Sequence, residues 1–326
     1  MSRFVVALLV GGVLLVGGAL VSVASGSFEM SPARVIEVLL HPERGETEHA
    51  VIKTIRIPRT AAAALVGGAL ALAGLCFQAL LRNPLASEYT LGISAGASLG
   101  AVLGSLLNVG SRLALPLGAF VGAIATILIV LALAQARLSF ETHATILAGI
   151  IFTSFANAVL SCVLSLVSPN ELHVFFFWFM GSFAGAEWNT LLPVSGLMGL
   201  LALVIFALSW RLNALAMGDD FATQIGVPVE RTKAGLFLTA GLLTALAVSL
   251  AGTIGFVGLV VPHLARVIAG ADHRRLVPLS ALLGAALCVL ADVLARRLLA
   301  PNELPVGVIT AFIGVPAFVV LARRPA

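Results

Sequence analysis

Residues 213–233 read N-A-L-A-M-G-D-D-F-A-T-Q-I-G-V-P-V-E-R-T-K. They separate an apolar run at 189–210 from another at 234–252. At about 1.5 Å per helical residue, runs of this length span a hydrocarbon core of about 30 Å. The stretch between them is too polar for hydrocarbon, yet it is not a flexible linker. It holds helix-forming residues, Gly226, Pro228 and charges of both signs. An ordered polar island between two bilayer-length runs marks a polytopic membrane protein and a docking surface for a soluble partner.

Working outward, the composition agrees. The 326 residues are 60% hydrophobic and 10% charged, with mean hydropathy +1.10. A soluble domain carries roughly 25% charged residues. The net charge of +4 comes almost entirely from arginine. It fits membrane orientation and contact with lipid, not nucleic-acid binding. Cys76, Cys162 and Cys288 each lie in an apolar run, with no metal-ligand spacing, and are read as small core residues.

Ten segments read as spans: about 4–24, 60–81, 89–107, 113–135, 144–167, 189–210, 234–252, 254–271, 277–299 and 305–322. Backbone polar groups in lipid must be satisfied within the segment, so each is a helix. Even apolar runs exclude barrel strands, which alternate. The first segment competes with a signal-peptide reading, but its length favours a retained span. The segments 89–107, 254–271 and 305–322 are short or broken by Gly and Pro. The predicted fold is all-α and polytopic, with ten transmembrane helices in two inverted five-helix halves. The chain 1–326 is one membrane domain with halves about 1–188 and 189–326. Arg59-Thr60 before span two and Arg231-Thr232 before span seven hint at the repeat.

With a cytoplasmic N-terminus, eleven Arg and Lys fall inside and eight outside, five of these in the long connection 25–59. Both termini are therefore placed in the cytoplasm. Arg296 and Arg297 are the exceptions. Asp292, one turn before Arg296, supplies a local ion pair. Gln78 and Asn157 are polar residues expected to face the bundle interior. Gly92, Gly96, Gly100 and Gly104 form a smooth helix face for close packing, joined by Gly118 and Gly122. The aromatic stretch His173–Phe183 is too short to cross; it lies at the outer interface or lines an outward cavity.

No P-loop, H-E-x-x-H, C-x-x-C or G-x-S-x-G motif occurs, so no enzyme chemistry, metal or cofactor is expected on this chain. His143 and His263 stand alone near predicted helix ends. An ion-gradient-driven secondary transporter with inverted repeats is an alternative reading, although no chain of intramembrane carboxylates supports it.

R-I-P-R-T at 56–60, F-Q-A-L-L-R-N-P-L-A at 77–86 and L-G-I-S-A-G-A-S-L-G at 91–100 form one signature. G-F-V-G-L-V-V-P-H-L-A-R at 255–266, D-H-R at 272–274 and E-L-P-V-G-V-I-T at 303–310 form another. Together they resemble the FecCD-type permeases, membrane subunits of bacterial ABC importers for iron–siderophores, haem and cobalamin. The resemblance runs from about residue 50 to the end.

It implies a permease of the bacterial inner membrane that pairs with a second copy or a paralogue. It also implies two cytoplasmic ATPase subunits, which use ATP and Mg, and one extracytoplasmic substrate-binding protein. By the same resemblance, Met217, Gly218, Asp219, Ala222, Gly226 and Pro228 couple to the ATPase through short helices. Arg56, Arg59 and Arg296 match positions that dock the binding protein in the cobalamin-importing branch. Contact with lipid headgroups is the other reading of those arginines. Asn83, Leu85, Thr142 and His143 match cytoplasmic gate positions, with His143 departing from the small Ser of that branch. A pathway lined largely by span five, with spans three and ten nearby, is implied as well. S-E-Y-T at 87–90 departs from the cobalamin pattern and tilts the cargo towards iron chelates.

Overall fold

The computed structural model describes residues 3–26, 30–41, 45–107, 113–135 and 142–322. Arg44, Arg112, Arg137, Arg323 and Arg324, used in the orientation count, lie outside them. Among the described residues every regular element is helical.

In chain order the elements begin with α1 (Arg3–Ala24), α2 (Pro32–Leu40) and α3 (Glu46–Val51). One wide turn, Ile52–Arg56, leads from α3 into α4 (Ile57–Leu80). Then come α5 (Ile93–Leu107), α6 (Ala114–Gln135), α7 (Thr142–Leu164), α8 (Pro169–Phe179) and α9 (Trp188–Ala207). The rest are α10 (Ser209–Met217), α11 (Asp219–Gln224), α12 (Val229–Ala251), α13 (Val257–Ala269), α14 (His273–Arg297) and α15 (Val306–Ala322). Seven segments are long and apolar enough to cross a membrane, and α5, α13 and α15 are shorter apolar helices. These three correspond to the spans the sequence marks as short or interrupted.

Burial sorts the helices. The apolar stretch leading through α4 is 78% buried, and those of α12 and α14 are each 67% buried. For α1 and α7 the shares are 11% and 17%. So α4 is the axis, flanked by α12, α13 and α14, while α1 and α7 turn most of their apolar surface outward. Lipid is as apolar as leucine, so packing between such helices relies on close backbone approach, and small residues permit it. A side-chain carbon at Gly67 would strike the Gly284 carbonyl, and one at Gly74 would strike that of Gly258. The Gly96–Gly104 face meets Gly118 and Gly122 of α6 in the same way, as the stripe predicts.

α5 and α13 are short for a shared reason. Each follows a non-helical connector, the run of turns 81–92 or the irregular segment 252–256, that runs into the bundle before the helix begins. Both helices therefore start inside: Gly258, next to the start of α13, lies beside Leu70 and Gly74 of α4 and the carboxyl of Glu88. Gln78 is buried as expected and donates to the Gly258 and Leu259 carbonyls. Asn157 instead sits exposed on α7, a helix whose faces mostly point away from the bundle. Cys76 and Cys288 are buried, whereas Cys162 is exposed on α7.

Gly74→Ala has no room against the Gly258 carbonyl. It should destabilise the protein by about 1–3 kcal/mol or more, as overpacking does. Gly12→Ala, where a side-chain carbon meets nothing within 4 Å, is the control. A thermal-unfolding midpoint in detergent as high for Gly74→Ala as for Gly12→Ala would contradict this packing.

Candidate functional site

Two ends of the bundle and one cavity carry the residues of interest. At one end α10 and α11 form a two-helix platform. α10 ends at Gly218, whose φ of 121° and ψ of 156° suit only glycine. α11 then begins directly at Asp219. Gly226 has φ +85°, and Pro228 precedes the first residue of α12. Ala222 is fully buried and seats α11 on the bundle. Asp219 pairs at 2.6 Å with Lys233, which is only 1% exposed. A buried lysine bound to a carboxylate from the next helix pins α11 to α12. Met217 is exposed. The six residues assigned to coupling thus converge on one platform, three setting its backbone path and three its seat and face.

Sequence reasoning missed Phe221 and Ile225. Both are exposed, and with Met217 they recur every fourth residue along the platform. That spacing was the available signal, hidden because a glycine breaks the helix between them.

The platform is tied to α14 by Asn213. Its amide donates to Asp272 at 2.8 Å and accepts from the His273 backbone at 2.8 Å and its ring at 2.7 Å. Asp272 also accepts from the Arg274 N–H, as the N-cap of α14. The Asn213 amide and this N–H hold its carboxyl below the usual carboxylate range.

The opposite end carries Arg56, Arg59 and Arg296, and all three guanidiniums bind within the chain. Arg59 is held by Asp292, which is fully buried, and by Glu303 at 2.9 Å. Arg296 pairs with Asp292 at 3.0 Å, confirming the i,i+4 bridge. It also donates to the Ser22 and Ser25 carbonyls. Arg56 donates to the carbonyls of Val23 and Ala24. Two arginines thus cap the C-terminal end of α1, where carbonyls lack helical partners and cations are favoured. Contact between an acidic partner and any of the three requires these bonds to be exchanged. Glu303, with a side chain 47% exposed, is the most accessible group in the network.

A cavity of about 990 Å³ opens between the connectors and α15, lined among others by Leu85, Tyr89, Phe179, Thr253, Phe256 and Phe312. Its wall is mostly apolar and aromatic, with the hydroxyls of Ser87, Thr90 and Thr253 among the polar groups. α15 lines it along one side. α7 contributes no residue to it, because α7 faces away from the cavity within a single chain. On α8, Phe176 and Phe177 are exposed, and Phe179 lines the cavity.

The gate residues do not form one cluster. Leu85 lines this cavity, while Asn83 turns back to accept the Leu85 N–H and lines a smaller one. Thr142 and His143 open α7, half-buried and exposed respectively, and line neither.

With this geometry in view, comparison with known proteins is informative. Residues 8–324 match the FecCD transport family. The hemin transport system permease protein HmuU of Yersinia pestis is 41% identical, over 83% of this chain and 82% of that protein. The iron(3+)-hydroxamate import system permease protein FhuB of Bacillus subtilis is 36% identical, over 98% and 83%. The vitamin B12 import system permease protein BtuC of Citrobacter koseri is 40% identical, over 83% and 82%. A solved inward-facing structure, assigned to the metal-chelate type of ABC transporter, superimposes with TM-score 0.86 at 32% identity. It covers 97% of this chain and 98% of that one.

The arginine network yields a contrast. Arg59→Ala leaves buried Asp292 with one cation, and breaking a buried pair costs about 3–5 kcal/mol. Glu303→Gln removes an exposed partner worth about 0–1 kcal/mol. Scanning fluorimetry in detergent should show a large fall in midpoint for the first and little for the second. Equal falls would mean that Asp292 is not the anchor.

Proposed function

The chain belongs to the FecCD transport family, and from that premise we propose that it is the permease subunit of an ATP-driven, binding-protein-dependent importer. The observation that carries this reading is the match across nearly the whole chain to import permeases. The cargo we propose is an iron chelate, with haem and cobalamin as related compounds. The aromatic, weakly polar cavity suits such a bulky chelate, because it offers few strong contacts at which cargo stalls.

In this reading the ten apolar helices, seven long and three short, are ten crossings of the bacterial inner membrane in two inverted halves. The paired layout supports it. In each half a buried long helix, α4 or α12, is followed by a non-helical connector and a half-length helix, α5 or α13. Paired interrupted segments of this kind are a transporter hallmark. Both termini are cytoplasmic, which puts the α10–α11 platform in the cytoplasm and the arginine network outside.

Two ATPase subunits dock on the platform. The Asp219–Lys233 pair and the seat of Ala222 make it stiff enough to pass ATPase closure into α12 and, through Asn213, into α14. ATP and Mg stay with those subunits. A substrate-binding protein docks at the arginine end, where a carboxylate from it displaces Glu303 from Arg59. Arg56 and Arg296 shape that rim. A second copy or a paralogue covers the exposed apolar face of α7, including Leu147, Ile150, Ile151 and Phe155. The pathway runs between the two permeases, with Leu85, Asn83, Thr142 and His143 towards its cytoplasmic mouth.

Reconstitution with its ATPase and binding protein tests the function. Ferric chelate should enter proteoliposomes only while ATP is hydrolysed. Uptake by this chain alone, driven by an ion gradient, would overturn the reading. Phe221→Asp should abolish co-purification of the ATPase. Gly218→Val forces a side chain into a glycine-only conformation at about 1–3 kcal/mol. It should keep the ATPase bound while lowering chelate-stimulated hydrolysis about tenfold. Full stimulation in that variant would remove the platform from the coupling path.

A further inference from the structure

A second cavity, of about 260 Å³, lies at the platform end of the bundle. Gln78, Arg82, Asn83, Ala216, Arg266 and His273 line it, and no carboxylate does. It joins five elements: α4, the connector after it, α10, α13 and α14.

Its charges are unbalanced. Arg266, half-buried in the last turn of α13, has the Gln78 amide oxygen at 3.3 Å as a partner. Neither Arg82 nor Arg266 forms an ion pair among the described residues. Asp272, the nearby acid, is engaged by Asn213 and the Arg274 N–H.

Arg82 is notable for its backbone. It follows the C-cap of α4 with φ +44°, the left-handed position where glycine is usual. A side chain there costs about 1 kcal/mol, so the guanidinium is held at the cavity against a local penalty.

His273 adds a second, independent feature. It is 3% exposed. The Asn213 amide is oriented by its donation to Asp272, so its oxygen accepts from the His273 ring Nδ1. Nδ1 therefore carries the proton, and Nε2 presents a lone pair. That Nε2 is buried and has no hydrogen-bond partner. Buried polar atoms are seldom left so, and an orphan on a residue that lines a cavity points to a ligand.

The two halves of the site ask for different things. Two guanidiniums call for an oxyanion. The Nε2 lone pair calls for a donor. A singly protonated phosphate group supplies both, whereas sulfate and carboxylate offer acceptors alone. We propose that this cavity binds a phosphate group, its bare oxygens on Arg82 and Arg266 and its O–H on His273 Nε2. The source is free phosphate or the phosphomonoester headgroup of a lipid such as phosphatidate. This site is independent of the import reading. An occupant would bridge the Asn83 connector to α10 and α14.

Full-length protein in phosphatidylcholine nanodiscs, titrated with radiolabelled inorganic phosphate, tests the site. Native mass spectrometry with added phosphatidate tests the lipid source. One phosphate should bind per chain, resisting excess sulfate, and Arg266→Gln or Arg82→Gln should weaken it about tenfold or more. Arg82 is exposed, so its variant keeps the test valid if Arg266→Gln fails to fold. Phosphatidate that stays bound, excludes phosphate and is lost in the same variants identifies the lipid as the source. Equal competition by sulfate, indifference to both substitutions, or binding of neither ligand overturns the proposal.

Discussion

Gly67 of α4 and Gly284 of α14 meet backbone to backbone, and the rest of the bundle is registered from that contact. The two helices run antiparallel, so residues equally far from the crossing on opposite sides lie level. Arg59 is eight residues before Gly67, and Asp292 is eight after Gly284. About 12 Å along the helices, the cation and the carboxylate therefore come opposite each other. In the other direction, Gln78 is eleven residues after Gly67 and His273 eleven before Gly284. They line the same small cavity. One close approach thus sets both polar layers. A larger residue at either glycine would widen the crossing and strain the Arg59–Asp292 bonds of 2.9–3.2 Å.

Gly74 against Gly258 plays the corresponding part for α13. Because α13 starts inside the bundle, its first N–H groups have no helical partners there. The non-helical connectors beside it likewise place irregular backbone there, part of it paired in turns. Irregular backbone at membrane depth is tolerated where protein or a cavity surrounds it. Here the large cavity borders both connectors, through Leu85–Thr90 on one side and Thr253–Phe256 on the other. The short helices, the connectors and the cavity are thus one feature, and a full-length α13 or α5 would fill that cavity.

Much of this was legible in the sequence, and what was not has a common cause. Apolar length and Gly–Pro interruptions marked the helices and singled out the three short ones, because those signals are local. The Asp292–Arg296 bridge was legible for the same reason, lying one helical turn apart. The partners of Arg59 were not: Asp292 and Glu303 are 233 and 244 residues away. Without them, Arg59 at a predicted outer rim reads as a free charge, whereas the structure turns it inward. Asn157 failed differently. A polar residue in an apolar run suggests an interior face, but α7 is mostly peripheral, and the hydropathy pattern carries no label for which side of such a helix meets its own chain. The platform residues were legible from Gly and Pro punctuation, and its exposed Phe221 and Ile225 were not, because the break at Gly218 disguises their spacing.

The inward-turned arginines also bear on how the two ends communicate. α14 holds Asp292 at one end and is bound at the other to Asn213 of α10 by three hydrogen bonds. Moving α10 alone breaks those bonds, at about 1 kcal/mol each for neutral groups and more for the one to the Asp272 carboxylate. Moving α14 with it shifts Asp292 against Arg59 of α4, and Arg296 against the Ser22 and Ser25 carbonyls at the end of α1. Keeping that network intact requires α4 and the end of α1 to follow. The lowest-energy response to a push on the platform is therefore a joint displacement of α10, α14, α4 and α1, with α15, which packs on α14, at the edge of this block.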